Sequence, residues 1–155
     1  MKLNPWYVTG LTEGEGCFTI SFNYRAKLNV KIETRPSFSI SLCKDDLELT
    51  KKIYEYFRCG GIRYSRRDRT YKYETRSIKD IMKKIIPHFE KYPLKGRKKE
   101  DYRRFKWICE QIYRNYHLNR ERLKEIIKEA YKMNPGGKRR YKEEELLRVL
   151  GEVKE

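Results

Sequence analysis

Two periods of hydrophobic and polar positions run along this chain. Over residues 17–25 the period is two: Phe18, Ile20, Phe22 and Tyr24 fall on one side, and Thr19, Ser21, Asn23 and Arg25 on the other, which predicts a half-buried strand. After a turn at 27–29 the alternation resumes over about 30–43. Ile32, Phe38, Ile40 and Leu42 face one way; Lys31, Glu33, Arg35, Ser37, Ser39 and Ser41 face the other. Pro36 predicts a bulge or an edge in that strand. A shorter hairpin is expected over 62–65 and 71–76, turning near Arg67. Arg63 and Ser65 join its polar side, while Tyr71, Tyr73 and Thr75 leave the alternation around Lys72 and Glu74 ambiguous.

Elsewhere the period is near 3.6. A first helix opens with Asn4 as cap and Pro5 in its first position, and should stop near 14–16. Asp45 or Asp46 caps a second, with Leu49, Ile53, Tyr56 and Phe57 inside and residues 59–61 ending it. Ile78, Ile81, Met82, Ile85, Ile86 and Phe89 trace a third helix, and Tyr102, Phe105, Ile108, Cys109, Ile112 and Tyr113 a fourth. A fifth runs over about 119–132, with Leu123, Ile126, Ile127 and Ala130 inside. A loop holding Asn134-Pro135-Gly136-Gly137 then leads to a last helix over 142–153, with Leu146, Leu147, Leu150 and Val153 on one side. The order predicts an α+β fold, αββαββα: two hairpins in a curved antiparallel sheet, helices over its apolar face, and extra helices at the end. The 155 residues form one domain in this reading, with a core over about 4–117 and a helical extension over about 118–155.

Charge narrows the function. The formal net charge is +16, from 38 Lys+Arg against 22 Asp+Glu, which implies a polyanionic partner. A membrane surface is the competing reading, but the sequence has no apolar run long enough to span and no leader pattern, so an intracellular protein is expected. Cys17, Cys43, Cys59 and Cys109 form no CxxC pair and only His88 and His117 could assist them, so reduced thiols are expected rather than a zinc site. The strands' polar sides mix hydroxyl, amide and guanidinium groups, a mixture that can read base edges in a major groove; plain solvent exposure is the alternative. The turn bearing Arg66, Arg67 and Arg69, and the triplet Lys138-Arg139-Arg140, are expected to contact phosphates. Gln occurs once, at Gln111, beside abundant Lys and Glu, which fits a thermophilic source.

The first helix carries the sharpest chemistry. Trp6, Gly10 and Gly14 share one of its faces. Two glycines there cost about 1 kcal/mol each relative to alanine, which makes sense if another backbone comes very close. Glu13 and Glu15 sit at the carboxyl end, where the helix dipole is already negative. A cation relieves that placement, and two such helices would bring two carboxylates around metal.

The run from Val8 to Gly16, followed by Cys17-Phe18, resembles the LAGLIDADG motif with its common GEGCF ending. The resemblance extends over about residues 4–110 and is to single-motif LAGLIDADG homing endonucleases. Thr9 and Thr12 stand where apolar residues are more usual, and Glu13 and Glu15 replace aspartates. What the resemblance implies is a sequence-specific, metal-dependent DNA endonuclease. It would be intron-encoded and homodimeric, using Mg²⁺ or Mn²⁺ and leaving 3′ overhangs on a pseudo-palindromic site. Glu15 matches the family's metal-binding acid, with help from the Gly14 carbonyl. Trp6, Gly10, Glu13 and Gly14 would lie at the dimer interface, where Glu13 caps or buttresses the helix pair. Lys98 matches a lysine near the scissile phosphates, with Arg97 and Lys99 as register alternatives. Lys44, with Cys43 beside it, aligns with a glutamine that orients water in many relatives. The DNA-binding set is Thr19, Ser21, Asn23, Arg25, Lys31, Glu33, Arg35, Ser37, Ser39, Ser41, Arg63, Ser65, Arg67, Lys72, Glu74, Lys138 and Arg139. The same fold also serves RNA-binding intron maturases and DNA-binding proteins without catalysis; Glu15 and Lys98 favour the enzyme. A prokaryotic cytoplasm, a thermophilic archaeon's among them, or an organelle is the expected setting.

Overall fold

Asn4 opens the first helix of this computed structural model, which describes residues 2–152. Asn4 Oδ1 accepts the Trp6 N–H at 2.8 Å, and Pro5 takes a first-turn position whose N–H would be unpaired anyway. The helix, α1 (Pro5–Glu15), passes directly into β1 (Gly16–Tyr24). Gly16 is required there by close approach, since a Cβ would lie 2.6 Å from Thr12 Cγ2 and 2.8 Å from Thr12 O. Two threonines replace apolar residues in α1 without cost. Thr12 donates to Val8 O, and Thr9 donates to Tyr92 O while lying 2.9 Å from His88 Nε2. With its own proton given to Tyr92, Thr9 accepts from Nε2–H. That leaves Nδ1 to accept from Tyr56 O–H at 2.8 Å. His88 is buried and neutral, its pKa lowered to about 4 by burial.

β2 (Ile32–Cys43), β3 (Gly61–Ser65) and β4 (Thr70–Thr75) complete a four-stranded sheet in the order β1-β2-β4-β3. β2 and β3 both pair antiparallel with β4. The β2–β4 register runs from Phe38↔Thr75 to Cys43↔Thr70, so Pro36 lies before the β4 pairing, where its missing N–H breaks no ladder bond to that strand. Its ring is buried, as are Ile32, Thr34, Phe38, Ile40 and Leu42. The strand also starts later than expected: Lys31 is a turn residue with φ 64°.

A 3₁₀ turn (Lys44–Asp46) leads into α2 (Leu47–Phe57). Asp46 occupies the cap position but its side chain makes no capping bond, so neither aspartate caps as expected. Arg58, left-handed at φ 56°, ends α2. The third helical run is not uniform. α3 (Ile78–Asp80), a π-helical turn (Ile81–Ile85) and α4 (Ile86–Lys91) follow one another. Pro87 supplies the reason: it lacks the N–H that would reach Lys83 O, and its ring would crowd that carbonyl. α5 (Lys98–Tyr113), a 3₁₀ turn (Tyr116–Leu118), α6 (Arg120–Ala130) and α7 (Glu143–Glu152) close the chain, Asn119 capping α6 through the Arg122 N–H at 3.0 Å. Val153, expected in the last helix, lies outside the described residues. No helix among the described residues is long and apolar enough to cross a membrane.

The chain divides into two compact units. The first comprises residues up to Phe18 together with Ser37–Lys99. Its core is aromatic: Phe38 meets Phe18 at 5.2 Å, Phe89 at 5.5 Å and Phe57 at 5.6 Å between ring centroids. The second comprises Thr19–Pro36 and residues from Glu100 onward. There Phe105, Ile108, Cys109, Leu123, Ile126, Ile127, Leu146 and Leu150 are fully buried. Tyr113 and Tyr24, expected inside, are 51% and 44% exposed. Both sit at the end of their element, where the apolar face runs out, and Tyr24 packs on Tyr141 at 4.4 Å.

Candidate active site and nucleic-acid interface

The carboxyl end of α1 gathers three of the expected groups within the first unit. Glu15 is exposed there, and among the described residues no cation or donor engages it. Glu13 turns the other way. Its Oε2 accepts the backbone N–H groups of Lys95 and Gly96, each at 2.8 Å. The carboxylate expected at a dimer interface is thus spent within the chain, tying α1 to the loop ahead of α5. That loop delivers Lys98, whose ammonium donates to Thr12 O at 2.9 Å and to Gly16 O. Arg97 and Lys99 on either side are exposed. Lys98 therefore sits on the negative end of the α1 dipole, where a cation is favoured. Two of its three protons are used, which leaves one for an incoming anion.

Glu15 also lines an open cleft of about 570 Å³ with Leu42, Cys43, Lys44, Asp46, Asp68, Arg69 and Thr70. Lys44 is held at its edge by its backbone N–H, which donates to Arg69 O at 3.0 Å. Strand alternation groups Cys43 with Ser41 on the polar side, and Lys44 has already left the strand. Asp46 was expected only as a helix cap, and Asp68 and Arg69 only as parts of a basic turn; the 70↔43 register brings the hairpin tip to the end of β2 and so to this cleft.

The donors near Glu15 are a carboxylate and last-turn carbonyls, Gly14 O among them, that lack intrahelical partners. An all-oxygen set with open positions suits a hard divalent cation that also takes phosphate oxygens. Among the described residues no three His, Cys, Asp or Glu side chains converge. None of the four cysteines forms a disulfide.

The polar side of the first unit is fixed by register. Ser39 faces Glu74, Ser41 faces Lys72, and Lys72 faces Arg63. The ambiguous pair Lys72 and Glu74 thus lies beside the serines and Arg63. Ser37 and Ser39 are buried under these longer neighbours. Arg67 is 92% exposed at the turn. Ser65 points the same way as Arg63, but its hydroxyl is taken by the turn, donating to Asp68 Oδ2 and accepting the Asp68 N–H.

In the second unit Thr19, Ser21, Asn23, Glu33 and Arg35 keep the expected alternation, and Arg25 lies one residue past the end of β1. Lys31 does not. Its ammonium folds back onto Ala26 O at 2.9 Å, because the left-handed turn carries it off the strand. Arg139 turns inward. Its guanidinium donates to Ile20 O, Ala130 O and Met133 O and stacks over Tyr131 at 4.4 Å. It pins the backbone with three of its five N–H groups. Lys138 beside it is exposed, and Arg140 holds the Asn23 amide at 3.0 Å.

Trp6, Gly10 and Gly14 form an exposed face of α1. A Cβ on either glycine would meet nothing within 4 Å, and Trp6 is 49% exposed.

The sequence matches the LAGLIDADG endonuclease family over residues 8–109. It is 35% identical over 144 residues to a probable intron-encoded endonuclease of Neurospora crassa, covering 91% of this chain and 31% of the relative. The chain spans about a third or less of the length of the curated relatives it first matches. Among solved structures, the homing endonuclease I-TnaI superposes with a TM-score of 0.86 at 32% identity, over 99% of this chain and 100% of that one. I-SmaMI, bound to an uncleaved DNA target in the presence of calcium ions, gives 0.87 at 30% identity, over 98% of this chain and 50% of that one.

Proposed function

The chain belongs to the LAGLIDADG endonuclease family, and we propose that it cuts both strands of a long pseudo-palindromic DNA site as a two-fold homodimer. The observation that carries this reading is the pairing at the end of α1: an unengaged Glu15 and a Lys98 ammonium seated on the Thr12 and Gly16 carbonyls. A divalent cation held by Glu15 and the Gly14 carbonyl supplies charge neutralisation, water activation and leaving-group stabilisation to phosphodiester hydrolysis. The ion is Mg²⁺ or Mn²⁺. Lys98 sets a fixed positive charge where charge develops on the phosphate. Lys44 and Cys43, on the cleft wall, orient solvent toward it.

Cutting two strands needs two carboxylates, and one chain brings one. The face of Trp6, Gly10 and Gly14 has room for another backbone. Packing two copies of α1 across a two-fold axis fills that room and places both Glu15 side chains near the axis. The strands' polar sides then read equivalent half-sites, and cleavage leaves 3′ overhangs. The host element is an intron in an organellar gene.

The test is a supercoiled plasmid carrying the intronless sequence of the host gene, incubated with Mg²⁺ or with EDTA. Linear product with Mg²⁺ alone supports the reading. Uncut plasmid under both conditions, with the duplex bound, returns the chain to a DNA-binding protein without catalysis.

A further inference from the structure

Two half-buried glutamates stand among the cations of the polar strand sides. In the first unit both oxygens of Glu74, 14% exposed, are taken. Oε2 accepts from Ser37 Oγ at 2.6 Å and lies 3.6 Å from Lys72; Oε1 lies 3.3 Å from Arg76 and 3.4 Å from Arg63. The second unit repeats the device. Glu33, 17% exposed, engages Arg25 through one oxygen and Arg35 through the other. Burial alone would raise both carboxyl pKa values. At Glu74 the Ser37 hydrogen bond and the charges of Lys72 and Arg76 more than reverse it; at Glu33 the bonds from Arg25 and Arg35 do. Both groups are held below the ordinary carboxylate range and are anions at neutral pH.

A carboxylate on a surface that meets a polyanion lowers affinity. It can repay this as a base reader only by accepting from a cytosine N4 amine, and every oxygen of both glutamates is already engaged by at least one neighbour within its own unit. The arginines and lysine gain instead. A free Arg or Lys samples many rotamers and can reach several phosphates or bases. Held by a carboxylate, its remaining donors point one way.

Resting on the DNA-reading function above, we infer that Glu74 and Glu33 are positioning residues that preset Arg63, Lys72 and Arg76, and Arg25 and Arg35, for particular base edges. They lower overall affinity and raise sequence discrimination. This reassigns both from the set of direct readers.

The test is selection from a duplex library with randomised half-sites, by wild type, Glu74→Gln, Arg63→Ala and their double mutant. A KCl series on one fixed unrelated duplex accompanies it. Glu74→Gln is expected to flatten base preference roughly five- to tenfold at the one or two positions that Arg63→Ala also flattens, with no further loss in the double mutant. Other positions keep their preference, and the unrelated duplex binds more tightly. Unchanged preference at every position in Glu74→Gln overturns the inference, as does an even loss at all positions, which marks a merely structural role. Glu33→Gln carries the same test at different positions should Glu74→Gln not fold. A wild type that enriches no motif overturns the DNA-reading function itself, which keeps the two failures apart.

Discussion

Replacing Lys98 with alanine removes one charge from a position the fold specifies closely. Its ammonium sits on Thr12 O and Gly16 O, beside Glu15, while its neighbours Arg97 and Lys99 are exposed. Losing one preorganised donor aimed at developing charge costs about 10²–10³ in rate, or roughly 2.7–4 kcal/mol. Removing an exposed arginine or lysine one position away costs a few-fold at most, through salt-screened attraction to DNA. The loss of two carbonyl partners also lowers stability by about 1–2 kcal/mol, since Lys98 is only half-buried. Single-turnover cleavage at saturating enzyme separates these effects, with duplex affinity and thermal unfolding measured beside it. Lys98→Ala is expected to bind the target within a few-fold of wild type and to cut it at least a hundredfold more slowly. Lys98→Arg recovers little, because a planar guanidinium cannot sit on the same two carbonyls as a compact ammonium. A larger rate loss in Arg97→Ala or Lys99→Ala, or less than tenfold in Lys98→Ala, refutes the placement.

Other outcomes follow from the same geometry. Glu15→Gln abolishes cleavage and leaves binding nearly intact, because the amide is a poor ligand for a hard cation; cleavage above a few per cent of wild type removes Glu15 from the metal site. Gly10→Leu keeps the fold, since its Cβ meets open space and leucine favours helix by about 1 kcal/mol. Sedimentation should nevertheless turn from dimer to monomer, and a dimeric variant would move the interface elsewhere. Arg139→Ala lowers unfolding stability by roughly 1–3 kcal/mol by taking a donor from three carbonyls, of which Ala130 O keeps the Met133 N–H. Lys138→Ala instead lowers the salt slope of DNA binding by about one; the reverse pattern would restore Arg139 as a phosphate ligand. His88 titrates near 4 when folded against 6.5 in its ordinary state. The unfolded chain therefore takes up the extra proton first. Its stabilisation is complete above pH 6.5 and falls by about 3 kcal/mol as pH drops toward 4. Urea unfolding from pH 7 to 4.5 should show that slope in wild type, and His88→Phe should keep only the part due to His117, whose pKa burial also lowers.

Most of the fold was legible because period and punctuation agreed. Asn4-Pro5 marked the start of α1, and the buried stripes of α5 and α6 followed 3.6-residue spacing. The misses have physical causes. Lys31 takes φ 64° without being glycine or asparagine, so nothing local announced that the strand started two residues later. Pro87 was the available sign of the π-helical turn. The triplet at 138–140 reads as solvated charge whether or not one guanidinium turns inward, and only the fold brings Ile20, Ala130 and Met133 carbonyls to Arg139. Of the site, Glu15 and Lys98 were readable through the motif and its spacing. The glutamates' ties to their cations were not, because Ser37 and Glu74 are 37 residues apart and meet only through register.

The central claim is that each of two copies supplies one Glu15 and so cuts one strand. It is tested most directly by a purified heterodimer of wild type and Glu15→Gln, isolated through two different tags and given supercoiled plasmid bearing the target with Mg²⁺. The account predicts that nicked circles accumulate at close to the wild-type rate of first-strand cleavage, with little linear product. Linear plasmid formed as fast as by the wild-type dimer would show that a single Glu15 serves both strands and would contradict it.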